Sequence, residues 1–272
     1  MRAGRAGRPH QIHSGSRFCS SERGGNDRRA EVTRRKNAAV FAELEIKRER
    51  KRKLRELRDR YGLGFVEHED FGRVNRILKV VSGGQPLEKF DLVWLGSVGR
   101  DYWSDGLQKA HHENMARRFR TEWEQTGDVW KAINACGHFR KAARSSEGLK
   151  LTEAGLAKTD QNKIKQRSAL LTTGGGALRD LGRHEDAVLF GNEAHALTPK
   201  DFRPCTLLGA VHIEMGAYIT GAEWYKKAEA LGASRNSIDR ELQSILAATS
   251  PEKRAHIKRI LKAHDSARYD RL

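Results

Sequence analysis

A repeating period of 34 residues in the carboxyl-terminal half constrains the fold of this chain more than any other feature. When residues 168–201 are compared with residues 202–235, glycines and small apolar residues recur at the same offsets. The matching pairs include Gly175 with Gly209, Gly182 with Gly216, Ala194 with Ala228, Ala196 with Ala230, and Leu197 with Leu231. A period of this length marks a supersecondary unit that buries its apolar face by stacking on its neighbours. We therefore expect stacked copies of one small unit.

The residues at the repeated positions suit a unit of two helices joined by a tight turn. Glycine readily takes the left-handed backbone conformation that ends a helix, so Gly182 and Gly216 are placed to end the first helix of each unit. Ala187 and Ala194 are seven positions apart, which puts them on one face of the second helix and lets its partner approach closely. Pro199 then stops the second helix, because proline lacks the N–H that the helix needs.

This pattern resembles the tetratricopeptide repeat (TPR) family at residues 168–201 and 202–235. Two positions depart from the family pattern: Ala233 replaces the closing proline, and Gly174 replaces a usual leucine. The resemblance implies an all-α fold in which helical hairpins stack as a right-handed superhelix. The matching residues are Gly175, Gly182, Ala187, Ala194 and Pro199 in the first unit, and Leu208, Gly209, Gly216, Tyr218, Tyr225 and Ala228 in the second.

A third, decayed unit is expected to precede these two. The segment VWKAINACGHFRKA (129–142) parallels GALRDLGRHEDA in the first clear unit, with Gly137 in the place of Gly182. This alignment predicts a unit over residues 123–156, followed by an insertion over residues 157–167.

The amino-terminal residues have a different composition from the rest of the chain. Residues 1–60 carry 19 basic and 8 acidic side chains, so they account for +11 of the net charge of +17. Residues 1–26 are rich in Gly, Ser and Arg, which favours disorder, whereas the residues that follow are mostly good helix formers without Gly or Pro. The predicted segments are a disordered basic tail (1–26), a long charged helix (27–61) that could form a weak coiled coil, an atypical helical segment (62–122), the TPR-like repeats (123–235) and carboxyl-terminal capping helices (236–272).

The resemblance also implies a binding surface. In the family, the first helix of each unit lines a concave groove, and a groove of mixed polarity suits an extended peptide. Each of these side chains could equally be ordinary surface. The groove positions implied for this chain are Lys131 and Asn134 in the decayed unit, Thr172, Arg179 and Asp180 in the next, and Arg203, Thr206, Ile213 and Glu214 in the last.

The basic arm supports an alternative function. A run of seven charges, KRERKRK (47–53), could attract nucleic acid, an anionic surface or an acidic partner, or could simply be a solvated helix face. In the nucleic-acid interpretation, the chain is an adaptor whose arm contacts phosphates and whose repeats recruit a protein. The phosphate contacts would come from Lys47, Arg48, Arg50, Lys51, Arg52 and Lys53.

Three further motifs have competing interpretations. The glycines of GGG (174–176) lower helix propensity, and close helix crossing at Gly175 explains them better than a phosphate-binding loop, because no Lys and Ser/Thr follow. The sequence HHEN (111–114) suggests zinc, but no second histidine follows one turn later. Aromatic residues over 90–130, interleaved with Arg117, Arg118 and Arg120, could stack on bases, although such a stripe is more often core.

We therefore expect a non-enzymatic scaffold that binds a protein or peptide, with no cofactor, no metal and no catalytic residues. An enzyme built on the 62–128 segment is the remaining alternative. Three widely spaced cysteines without a CxxC pair favour a reducing compartment, taken as the cytoplasm. No apolar run approaches the length needed to cross a bilayer, so we expect no membrane association.

Overall fold

The computed structural model describes residues 20–270, with side chains from residue 29 onward. These residues form thirteen α-helices, one 3₁₀ turn (Arg100–Tyr102) and no strand. The helices are α1 (Ser20–Arg60), α2 (Phe71–Ser82), α3 (Lys89–Leu95), α4 (Asp105–Thr126), α5 (Val129–Lys141), α6 (Ser145–Lys158), α7 (Ile164–Asp180), α8 (His184–Leu197), α9 (Phe202–Glu214), α10 (Tyr218–Ala230), α11 (Arg235–Ala247), α12 (Pro251–His264) and α13 (Ser266–Tyr269). The all-helical class expected from the sequence is confirmed for this part of the chain.

The chain divides into two units between Glu56 and Leu57. The described part of the first unit is helix α1 up to Glu56. This helix begins at Ser20, inside residues 1–26, whose composition favours disorder. The rest of the predicted disordered tail, residues 1–19, lies outside the described residues. Ion pairs one turn apart, such as Glu43 with Lys47 at 2.7 Å, stabilise an exposed helix by a few tenths of a kcal/mol each.

The second unit begins with a small cluster that includes the last turn of α1. The apolar residues of α2 recur at helical spacing, and Val74, Ile77 and Leu78 are buried together with Tyr61. Helix α4 begins at a Ser104 cap, whose hydroxyl accepts a hydrogen bond from the N–H of Leu107. It ends at Gly127, whose φ of 71° lies in the left-handed region. Both ends of α4 are where the capping residues in the sequence predict them.

Three helical hairpins follow: α5 with α6, α7 with α8, and α9 with α10. Each hairpin turns through one residue in the left-handed conformation, with φ of 58° at Ala143, 74° at Gly182 and 89° at Gly216. The left-handed conformation expected at Gly182 and Gly216 is therefore present. Ala143 adopts it without being glycine, which costs an L-residue roughly 1–2 kcal/mol.

The first hairpin corrects the register expected for the decayed unit. Gly137 lies inside α5 rather than in the turn, and the turn comes six residues later, at Ala143. The hairpin therefore covers residues 129–158 rather than 123–156. Residues 157–167 do not form a separate insertion but contain the end of α6, a short connection and the first turn of α7. The left-handed turns at Ala143 and Gly182 are nevertheless 39 residues apart rather than 34, so this part of the chain is longer than one repeat period. The sequence predicted the turn at the wrong residue because the observed turn contains no glycine, whereas α5 contains Gly137.

The GGG segment lies inside α7, where three neighbouring elements approach it. A Cβ added at Gly174 would lie 2.5 Å from the Thr152 side chain, and one at Gly175 would lie 2.6 Å from Leu207. At Gly176 the added atom would meet only the guanidinium of Arg140, which is the end of a flexible side chain and can move aside. Close packing therefore explains Gly174 as well as Gly175, the one expected.

Replacing Gly221 by alanine is expected to destabilise the folded chain by about 2 kcal/mol. An added Cβ would lie 2.8 Å from the carbonyl oxygen of Gly209, in the backbone of α9, which cannot yield as a flexible side chain does. Gly137→Ala is the matched control, since nothing lies within 4 Å of its added Cβ. Because alanine favours a helix, this control should stabilise by about 0.5–1 kcal/mol. Urea unfolding would measure both, and shifts of the same sign would contradict the packing argument.

The core of the second unit consists of four apolar clusters in chain order. The first lies under α2 and α3, the second joins α4 to α6, and the third joins α6 to α9. The fourth packs α11, α12 and α13 against the last hairpin and buries Tyr225, Leu242 and Leu261. Each cluster draws on helices that are close in the chain, so the core is distributed along the sequence.

Candidate functional site

The second unit contains a groove with a volume of about 900 Å³, which we call the α5–α9 groove. It is lined by the starts of α5 and α9, by residues of α7, and by the connection between α8 and α9. Its lining residues are Trp130, Ile133, Lys165, Ala169, Thr172, Thr173, Thr198, Pro199, Lys200, Asp201, Phe202 and Arg203.

Two aromatic residues at helix starts form walls of this groove. Asp128 caps α5, and its carboxylate accepts a hydrogen bond of 3.0 Å from the N–H of Trp130. Asp201 caps α9 in the same way and accepts from the N–H of Arg203 at 2.9 Å. These caps fix the first turns of the two helices, so Trp130 and Phe202 are held by local structure. Trp130 is 46% exposed, which is high for an indole in a folded chain.

The charge around the groove is mainly positive. Lys165, Lys200 and Arg203 line it, and Asp201 is the single acidic residue among the described residues that line it. Asp201 already caps α9 and lies 3.3 Å from the Arg203 guanidinium. A smaller cavity of about 340 Å³ shares Trp130 and Lys165 with the groove and adds Lys163. Among the described residues, Lys163, Lys165 and Lys200 take part in no ion pair.

Only two of the nine expected groove residues, Thr172 and Arg203, line this cavity. Ile213 is 1% exposed and packs in the carboxyl-terminal cluster, so its expected place on a binding surface is wrong. Lys131 pairs with Glu122 at 2.8 Å instead of facing the cavity. Asn134 is exposed, and the Thr206 hydroxyl donates to the carbonyl of Arg203 at 2.8 Å.

The remaining three expected groove residues are held in ion pairs that link successive hairpins. Arg140 lies 2.8 Å from Asp180, and Arg179 lies 2.7 Å from Glu214. Arg179 also lies 2.6 Å from Glu241 of α11. Burial opposes the charge of Arg179, but hydrogen bonds and attraction from the two carboxylates outweigh it and raise the pKa of the guanidinium. These side chains therefore connect the hairpins and are not free to bind a ligand.

Sequence reasoning did not place Trp130 and Phe202, the two aromatic residues of the groove lining, on the binding surface. Both follow an aspartate cap at a helix start, and this local signal could have identified them. The aromatic segment is otherwise mostly core, since Trp123 is buried and Phe119 packs against the same cluster. Phe90 is the exception at 68% exposed.

The HHEN segment takes part in packing between α4 and α5. The Nδ1 of buried His111 accepts a hydrogen bond of 3.1 Å from the N–H of Leu87. The Nδ1 atoms of His112 and His138 lie 3.0 Å apart, so one donates and the other accepts. Burial, assisted by the neighbouring histidines, lowers the pKa of His111 and of His138 to about 4. Within residues 29–270, no group of three or more His, Cys, Asp or Glu side chains is placed to hold a metal.

The basic segment of α1 remains exposed to solvent. Lys47 pairs with Glu43, while Arg52 and Lys53 pair with Glu49. The other three members of the expected nucleic-acid set, Arg48, Arg50 and Lys51, form no ion pair among the described residues.

A scan of protein-family models finds none that matches this chain, and no curated protein matches it. Among the described residues, no helix has both the length and the apolar character required to cross a membrane.

Proposed function

We propose that this chain is a non-enzymatic scaffold that resembles TPR proteins and binds an extended segment of a partner protein in the α5–α9 groove. Three successive hairpins with a left-handed residue at the same place support stacking as a TPR-like superhelix. The small residues at Gly175, Gly209 and Gly221, where neighbouring helices approach closely, support it further. The fold alone does not specify a ligand, so the function is argued from the groove.

The observation that carries the proposal is the exposed Trp130 in an apolar groove of about 900 Å³. Aromatic side chains supply large contact areas at low cost in conformational entropy, and they are enriched where proteins bind each other. The groove is lined by three helices and by the short connection between α8 and α9, and it is already open in this structure. A partner segment would therefore bind to a preformed surface.

The titratable groups of the second unit support a binding role over catalysis. The buried histidines pack between helices, and the ion pair of Arg179 with Glu214 links two hairpins. Burial raises the pKa of the Cys136 thiol to about 11, which keeps it protonated and unsuited to act as a nucleophile at neutral pH.

Selection of random peptides displayed on phage tests this function. The full chain should enrich peptides that bind with micromolar or better affinity, and Thr172→Phe should abolish their binding because the added ring fills the groove. Thr121→Phe is the matched control, since Thr121 is exposed on α4 and lies outside the groove lining. Peptides that bind both variants and the original chain equally would contradict the groove as the binding site.

The alternative function, a nucleic-acid-associated adaptor, is favoured by Arg48, Arg50 and Lys51 of α1, which are exposed and form no ion pair with any side chain that the structure describes. Phosphate contacts release counterions, so such binding should weaken steeply as salt increases. Salt-sensitive binding of labelled single-stranded RNA that is lost when these three residues become glutamine, but unchanged in Thr172→Phe, would favour this alternative.

A further inference from the structure

The charges around the α5–α9 groove limit the kind of segment that it can bind. Lys165, Lys200 and Arg203 line the groove, and Lys163 lies in the adjoining cavity. The single carboxylate, Asp201, is already used by the α9 backbone and by Arg203. A basic segment would bring like charges next to these lysines, whereas an acidic segment would pair with them.

The groove walls limit the same segment in a second way. The same groove is also lined by apolar side chains, those of Trp130, Ile133, Pro199 and Phe202. The Arg203 guanidinium lies 5.1 Å from the centre of the Phe202 ring, so charge and aromatic surface are adjacent. A segment that offered only carboxylates would leave the apolar walls in contact with water. The free energy gained by burying those walls would then be lost.

We propose that the α5–α9 groove recognises an acidic protein segment in which carboxylates flank a large apolar side chain. The apolar side chain packs between Trp130 and Phe202, and the carboxylates pair with Lys163, Lys165 and Lys200. This inference rests on the proposed function and adds the chemical class of the partner.

Three fluorescein-labelled peptides of equal length test the inference by fluorescence anisotropy with the full chain. The first alternates glutamate pairs with leucine or phenylalanine, the second replaces every glutamate by lysine, and the third replaces every apolar residue by serine. The first peptide should bind about tenfold or more tightly than either of the others. Its advantage over the serine peptide should persist at high salt, because contact between apolar surfaces is not screened.

Two matched pairs of substitutions locate the effect. Lys165→Glu with Lys200→Glu should weaken binding of the first peptide by about tenfold or more and strengthen binding of the lysine peptide. Lys150→Glu with Lys253→Glu makes the same change in net charge at exposed positions outside the groove and should leave both affinities unchanged. Circular dichroism of each variant checks that the helices persist.

The outcomes separate this inference from the function on which it rests. If peptides selected on phage bind in the groove but the lysine peptide binds as tightly as the acidic one, the acidic class is wrong and the groove function stands. Equal binding of the serine peptide would overturn the requirement for an apolar side chain. If no peptide shows binding that Thr172→Phe removes, both the inference and the proposed function fail.

Discussion

Lowering the pH from 7 to 5 is expected to destabilise the folded chain by several kcal/mol, well before most carboxylates are protonated. The pKa of His111 is about 4 in the folded chain, whereas an exposed histidine has a value near 6.5. Below pH 6.5 the unfolded chain therefore binds more protons than the folded one, and stability decreases as the pH falls towards 4. For His111, which is 3% exposed, the loss between pH 7 and 5 is about 2 kcal/mol.

The neighbouring histidines act in the same direction. Burial lowers the pKa of His138 to about 4, and protonation of both His138 and His112 would place two positive charges at rings whose Nδ1 atoms are 3.0 Å apart. Burial also lowers the pKa values of His195 and His212, so these residues add to the loss in the same pH window. Stability should thus be complete above pH 6.5 and should fall continuously between pH 6.5 and 4.

Urea unfolding, followed by tryptophan fluorescence at pH 5, 6, 7 and 8, measures this dependence. His111→Gln keeps an acceptor for the N–H of Leu87 without a titrating ring, so its stability should fall less between pH 7 and 5. His68→Gln is the control, because His68 is exposed. A stability that stays constant from pH 7 to 5, or that changes equally in the two variants, would contradict the role of His111.

Replacing Arg179 by methionine should cost about 3 kcal/mol of folding stability. The Arg179 side chain is 14% exposed and joins Glu214 of α9 to Glu241 of α11. Methionine has a similar length but no charge, so the substitution leaves two partly buried carboxylates without their arginine, and Glu214 keeps only His184 at 3.4 Å among the described residues. Removing one partner of such a cluster is costly because the remaining charges have lost their compensation.

Two comparisons make this prediction specific. Arg183→Met is the matched control: Arg183 is 54% exposed and pairs with Asp186, three residues later in the first turn of α8, so its loss should cost about 0.5 kcal/mol. Adding Glu214→Gln and Glu241→Gln to Arg179→Met should recover part of the stability, because the uncompensated charges are removed. Equal costs for the two arginines, measured by urea unfolding, would show that Arg179 does not act through the buried carboxylates.

Local signals in the sequence account for several helix boundaries. Ser104 and Gly127 bound α4, and Ser250 begins α12, because a capping side chain and a left-handed glycine act within a single turn. The turn at Ala143 was not predictable in this way. Nothing in that turn favours a positive φ, so the packing of α5 against α6 imposes it.

The binding surface depended on more than local signals. Thr172 and Arg203, two of the residues expected on a binding surface from their positions along the helices, line the α5–α9 groove. The same reasoning placed Arg179 and Ile213 on that surface, yet Arg179 lies in an ion cluster and Ile213 in the core. Position within a repeat cannot show this, because α11, which supplies Glu241 and packs near Ile213, lies outside the repeat.

By itself, the sequence determined the helical class, the 34-residue spacing of the last two hairpins and the left-handed turns at Gly182 and Gly216. Each of these depends on backbone preferences and apolar periodicity within one or two helices. Only the tertiary structure decided the register of the first hairpin, the exposure of Trp130 and the burial of His111 as an uncharged side chain. These features depend on which side chains from distant helices meet, and on how much water their contact excludes.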